Sequence, residues 1–596
     1  MNKPCNVDIM NRFSWAVASM IFAMGAACGT AGKPPRPVQA STAATSNFVE
    51  TGTYQEAIDQ CTQIAANFAN RARCLQFGTT TQHRPMMALV VSADGVLSAE
   101  AATRAHRPVI LVQAGIHAGE IEGKDAGFQF LLAMLRNELP NQALRAATWI
   151  FIPVLNPDGH ERTSPNNRPN QRGPAHMGFR TTGMNLNLNR DYMKVDSVEL
   201  RAELTLITAW HPTMLIDLHT TDGAKFQHDV AVMVSPSVPR PDGLSDVAHT
   251  ISQKLQTRLA ELGHLPLWFY PSFREQDRPE TGVEAGDAPP RFSHGYGAER
   301  SIISLLVETH SWRTYRERVA ATYDTLRAVS EQVAADAAQW ATAQARAEQT
   351  SLAGQQVTLA YDVSPTSRPF AFKGYQITRE ASALSTATWT HYDEQKPEIW
   401  TIPLFDQFVP LITVTAPAKG YFVDGGFASV VEPVLRSHGI TYQPATVGQP
   451  IAVQTFRPDK IVFDDKSYEG RQRVTLTGAW HNETRTLTQG ALWIPIAQPM
   501  ARLVLGLFEP SARDALVNWG LFNAAFEQKE YMEDYVAEQI ARDMVAANPA
   551  LQIEFDANVA SDPIFAKNSA ARLDFFRRRH PSWDERFNLV PVFRVE

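Results

Sequence analysis

Pro108-Val-Ile-Leu-Val-Gln113 runs directly into Ala114-Gly-Ile-His117-Ala-Gly-Glu120, a short apolar run followed by a loop that bears His-x-x-Glu. A run of this length without polar alternation predicts a strand buried on both faces, as in the sheet of an α/β domain. Similar apolar runs occupy 86–91, 148–154, 213–218 and 302–307. Between and around them, apolar residues at helical spacing predict helices over 54–73, 124–135, 199–210 and 315–345. This alternation implies an α/β fold, a mostly buried sheet covered by helices.

The loop after a buried strand is where open α/β sheets carry their chemistry. His117 and Glu120, three positions apart at the entry to a helix, can converge on one cation; a surface or capping role is the alternative. Leu215-Ile-Asp-Leu-His219 repeats the pattern, with His219 ending an apolar strand and supplying a third ligand. Two histidines and one carboxylate leave a coordination position open, as a catalytic zinc requires. Ile302-Ile-Ser-Leu-Leu-Val-Glu308 ends another apolar strand on a carboxylate, which is costly to bury unless something uses it. Beside an activated water, Glu308 could take its proton and return it to a leaving amine; a salt-bridged strand end is the plainer alternative. Asn185-Leu-Asn-Leu-Asn189-Arg190 follows Gly178-Phe-Arg180. Arg190 with Asn189 could hold a substrate carboxylate and Arg180 could polarise a carbonyl, an ordinary polar loop being the alternative. Asn156-Pro-Asp-Gly159 supplies a tight turn after the strand at 148–154.

Together, His-x-x-Glu, Asn-Pro-Asp-Gly, Leu-Asn-Arg, strand-His and strand-Glu stand in the order and approximate spacing of the zinc metallocarboxypeptidases of carboxypeptidase A type, which residues 48–339 resemble. The resemblance implies a mixed eight-stranded sheet between helices and one zinc ion at the strand C-terminal edge. It implies His117, Glu120 and His219 as ligands, Glu308 as general base, and Asn189 and Arg190 as the anchor for a peptide's C-terminal carboxylate. Arg180 resembles the oxyanion arginine, with Arg172 as fallback. The implied activity is hydrolysis of the C-terminal peptide bond of a peptide or protein. An amidohydrolase acting on N-acyl amino acids or cell-wall peptides, or a catalytically silent zinc-containing peptide-binding protein, are the alternatives. Two positions depart from the family. Asn187 stands where many members have Asp accepting a hydrogen bond from the first zinc histidine, and Asp217 could supply a charge behind His219 instead. The family's mobile tyrosine usually lies about twenty residues before the catalytic Glu, whereas Tyr296, the substrate-binding candidate, lies twelve before Glu308.

At 596 residues the chain is long enough for more than one core. The expected division is a leader and tether to residue 40, the zinc carboxypeptidase-like domain over 41–348, a β-rich accessory domain over 349–505 and a mainly helical region over 506–596, with a helix expected over 514–546. A net charge of −7 offers no general attraction to phosphate backbones, so nucleic acid is not an expected partner. Lys3 and Arg12 precede an apolar stretch at 13–27, the pattern of an export signal. Gly25-Ala-Ala-Cys28 resembles a lipoprotein processing site, so membrane association is expected only through a lipid on Cys28, and the location is periplasmic, lipid-anchored or secreted. Residues 29–46 read as an unstructured tether. Of four cysteines, Cys61 and Cys74 could pair in an oxidising compartment or remain two buried thiols.

Overall fold

The computed structural model describes residues 38–221 and 223–596. The expected leader, the expected tether up to residue 37 and Cys28 lie outside the described residues. From residue 41 the expected tether is instead structured. Ser41 caps the short helix Thr42–Thr45, Ala43 is fully buried, and Thr42 bonds to the Glu56 carboxylate. Cys61 and Cys74 are joined as a disulfide. The expected helix over 54–73 spans only Tyr54–Asn67, because the chain then turns into a strand that carries Cys74 back across that helix.

Eight strands form one mixed sheet in the order β1-β2-β4-β3-β5-β9-β6-β7. They are β1 (Ala72–Thr79), β2 (Pro85–Val91), β3 (Val109–Ala114), β4 (Thr148–Ile152), β5 (Met214–Thr220), β6 (Val230–Ser235), β7 (Pro266–Leu267) and β9 (Ile303–Thr309). The short β8 (Val283–Glu284) leaves this sheet and pairs in parallel with Thr388–Phe405. The centre, β4-β3-β5-β9, is parallel, and the flanking pairs β1-β2, β2-β4 and β9-β6 are antiparallel.

The absence of alternation in the apolar runs has a direct cause in packing. In β3, Ile110 and Val112 join a core with the helices Tyr54–Asn67, Glu122–Leu135, Leu244–Glu261 and Tyr315–Gln349. Val109 and Leu111, one residue out of phase, join a second core on the opposite face. The longest helix, Tyr315–Gln349, starts at a capping box in which Thr314 and Glu317 bond reciprocally, satisfying two otherwise orphaned N–H groups.

The second face is covered by Val198–Trp210 together with the C-terminal third of the chain. Leu204 and Tyr192 share a core with Tyr421, Leu435, Leu503, Phe508, Trp519 and Val592. The described residues from 38 onward accordingly form one compact unit. Beyond 350 lie a long hairpin, Arg368–Ala381 with Thr388–Phe405, and a six-stranded sheet whose interior strands include Val592–Val595 near the end of the chain. The helix expected from 514 begins only at Asp534; residues such as Leu516 and Trp519 instead pack, in irregular backbone, into the core.

Candidate metal centre

Three parallel strands deliver the site at their C-terminal ends. His117 and Glu120 follow β3, His219 is the penultimate residue of β5, and Glu308 is the penultimate residue of β9, in direct register with His219. Parallel register places those two side chains on one face. All four are buried, Glu308 at 6% exposure.

The hydrogen bonds around the two imidazoles define their tautomers. His117 Nε2 lies 3.0 Å from Asn187 Oδ1, and that oxygen also accepts from the Asn189 backbone N–H at 3.0 Å. His219 Nε2 lies 2.7 Å from Asp217 Oδ2. Both partners are acceptors, so each Nε2 carries a proton and each ring turns its Nδ1 inward. The Nδ1 atoms lie 3.2 Å and 3.0 Å from the Glu120 carboxylate. The three candidate ligand atoms fall within 4.8 Å of one another. Lone pairs facing one another at these distances repel unless a cation or proton lies between them, so this donor set fits zinc.

The two imidazoles differ in their electrostatics. Burial pulls His117 down to about 4, so it is neutral at physiological pH. Burial also opposes a charge on His219, but Asp217, aided by Glu120 and Glu308, outweighs it and raises this imidazole well above its ordinary value. Burial likewise pushes Glu120 up, yet His117 and Arg168 more than compensate and hold it well below the usual carboxylate range. Asp217 also accepts from Ser293 Oγ at 2.5 Å, which locks it behind His219. Asp217→Ala is expected to weaken zinc retention about 10–100-fold in chelator competition, the usual effect of removing a carboxylate behind a ligand histidine. An unchanged zinc affinity would remove Asp217 from the site.

A cleft of about 1080 Å³ opens over this centre and is lined by His117, Arg180, Asn189, Arg190, His294 and Glu308 among others. Arg180 Nη1 reaches Glu120 Oε1 at 3.2 Å. The Arg190 guanidinium lies over the Phe292 ring at 4.1 Å, and Asn189 Oδ1 accepts from Ser293 N at 2.9 Å. The cleft floor is Leu306 and Met233, paired across β9 and β6, and its walls carry Trp268, Tyr270 and Phe273. Burial lowers His294 to about 4, leaving a neutral imidazole in this wall.

Tyr296 is not in the cleft. It is fully buried, and its hydroxyl donates to His438 Nδ1 at 2.8 Å while accepting from Arg300 at 3.0 Å. His438 donates its other nitrogen to Met193 O at 3.1 Å, which fixes that direction. The helix Ser293–Glu299 turns this ring into the core shared with the C-terminal region, so the substrate-binding assignment is withdrawn; Tyr270 is a phenol that does line the cleft. Arg172 turns outward to pair with Glu394. Arg168 escaped the sequence reading although it lies 2.8 Å from Glu120 Oε1. Three arginines within thirteen residues could not be ordered by spacing alone. Also missed was the accessory contribution to the cleft wall, Arg368, Asp406 and Phe408, which no local motif marks.

Residues 58–264 match the family described as zinc carboxypeptidase. No curated protein matches the chain. Among solved structures, it is similar to a metallo-carboxypeptidase from Burkholderia cenocepacia, with 17% identity over 46% of this chain and 68% of that one and a TM-score of 0.34. It is also similar to carboxypeptidase A from Helicoverpa armigera, with 15% identity over 50% of this chain and 75% of that one and a TM-score of 0.36.

Proposed function

We propose, from the premise that residues 58–264 belong to the zinc carboxypeptidase family, that this chain is a zinc metallopeptidase that removes residues from the C-terminus of peptides. The observation that carries the proposal is a single cleft that joins the His117 side of the metal centre to Glu308, Arg180 and the Asn189–Arg190 pair.

His117, Glu120 and His219 would hold one zinc ion. When bound there, zinc supplies a Lewis acid that polarises the scissile carbonyl and acidifies water. Glu308 takes the proton of the attacking water and delivers it to the leaving amine nitrogen. Arg180 donates hydrogen bonds to the oxygen on which negative charge develops. Asn189 and Arg190 hold the terminal carboxylate, Arg190 kept in place by its stack on Phe292. A cleft of about 1080 Å³ exceeds what a single acylated amino acid fills, which favours peptides over N-acyl amino acids. The Cys61–Cys74 disulfide favours an oxidising location outside the cytoplasm.

A peptide library digested with and without chelator and read by mass spectrometry tests this. Loss of single C-terminal residues, abolished by chelation, is expected. Internal cleavage, or stoichiometric zinc without hydrolysis, would overturn it; release from N-acyl amino acids alone would establish the amidohydrolase instead.

A further inference from the structure

Residues 464–473 connect the two long strands Pro450–Phe463 and Val474–Thr486 of the accessory sheet. Tyr468 and Arg471 close their tip as a two-residue turn, with Tyr468 N donating to Arg471 O at 2.8 Å and Arg471 N donating to Tyr468 O at 3.1 Å. Both central residues have left-handed backbone, Gly470 with φ 76° and Glu469 with φ 49°. Glycine adopts this freely, whereas for a glutamate it is strained. The glutamate has a compensating contact far away in sequence: its Oε2 accepts from the Asn187 backbone N–H at 2.9 Å.

The rest of the tip grips the same segment. Arg471 engages Asp196 through two nitrogens, at 2.5 and 3.0 Å. Tyr468 stacks on Trp519 with centroids 5.9 Å apart, and the buried Lys194 ammonium lies 5.5 Å from that indole. Segment 187–196 carries Asn187, the acceptor for His117, and Arg190, the carboxylate anchor. Burial lowers Arg190 from its ordinary range, and Tyr468 opposes that shift. Among the described residues, neither Tyr468 nor Glu469 lines the cleft. Glu469 acts through Asn187 on His117, which does.

We infer that the hairpin tip at 468–471 is a positioning element of the peptidase site, in which Glu469 fixes Asn187 behind His117. The C-terminal region is then part of the support of the metal centre rather than an appendage. This rests on the zinc-ligand role of His117 proposed above.

The test uses the full chain in chelator competition for zinc. Glu469→Ala is expected to weaken zinc retention about tenfold with Tm little changed, and Glu469→Gln, which keeps the carbonyl acceptor, to restore it. Unchanged zinc retention in Glu469→Ala, or a loss that comes with a lower Tm and is not rescued by Glu469→Gln, would reduce Glu469 to a structural contact and overturn the inference. His117→Ala separates the two levels. If it leaves zinc retention intact, the ligand role fails and this inference falls with it. If it abolishes retention while Glu469→Ala does not alter it, the hairpin inference alone fails.

Discussion

Glu308→Gln is expected to lower kcat by about 10³–10⁴-fold while zinc content and Tm stay at wild-type values. The substitution keeps the volume and one hydrogen-bonding oxygen but removes the group that can hold a proton. Five apolar or small residues, Ile303 to Val307, lead up to this carboxylate, and it is 6% exposed. A charge in such surroundings is expensive to desolvate, and the fold places it where the cost has a use, in register with His219 and facing the cleft. KM should change little, because the anchor at Arg190 lies on a different segment. Metal analysis and steady-state kinetics on one free-acid peptide check the result together. Activity within tenfold of wild type would assign the proton transfer to another group.

The parts of this site legible in the sequence are those whose chemistry and geometry coincide locally. His117, His219 and Glu308 each end an apolar run, and a strand buried on both faces can only present a polar terminus to an edge of the sheet. The sheet itself was legible for the same reason, since Ile110 and Leu111 are both apolar because each faces a different core. Legibility ends where a side chain's direction is set by distant packing. Tyr296 lies twelve residues before Glu308 and could face either way; a neutral His438 more than a hundred residues later draws its hydroxyl into the core. Burial lowers that histidine to about 3, which is what leaves it an acceptor. Arg168, Arg172 and Arg180 are chemically identical, and only the backbone path of the loop decides that the first and third reach Glu120 while the second meets Glu394. The hold of Glu469 on the Asn187 backbone N–H spans 282 residues, and no local pattern marks it.

Arg190→Ala is expected to reduce kcat/KM on a free-acid peptide by about 30–4,000-fold and on its amidated counterpart by less than about threefold. The magnitude follows from removing one partner of a desolvated charge pair, about 2–5 kcal/mol, at 1.4 kcal/mol per factor of ten. The guanidinium is held by contacts that do not neutralise it, the Phe292 face and the Asn189 carbonyl at 2.7 Å, so its charge is available to a ligand. Lysine would restore charge but not the planar fork, and Arg190→Lys should therefore recover only part of the loss. An amide terminus offers no anion to either residue, and that makes the ratio between the two substrates the informative quantity, since folding damage would depress both. Equal loss on both would mean that Arg190 maintains the cleft rather than reading the terminus. The enzyme would then be a peptidase whose point of cleavage is chosen by the walls around Trp268 and Phe408.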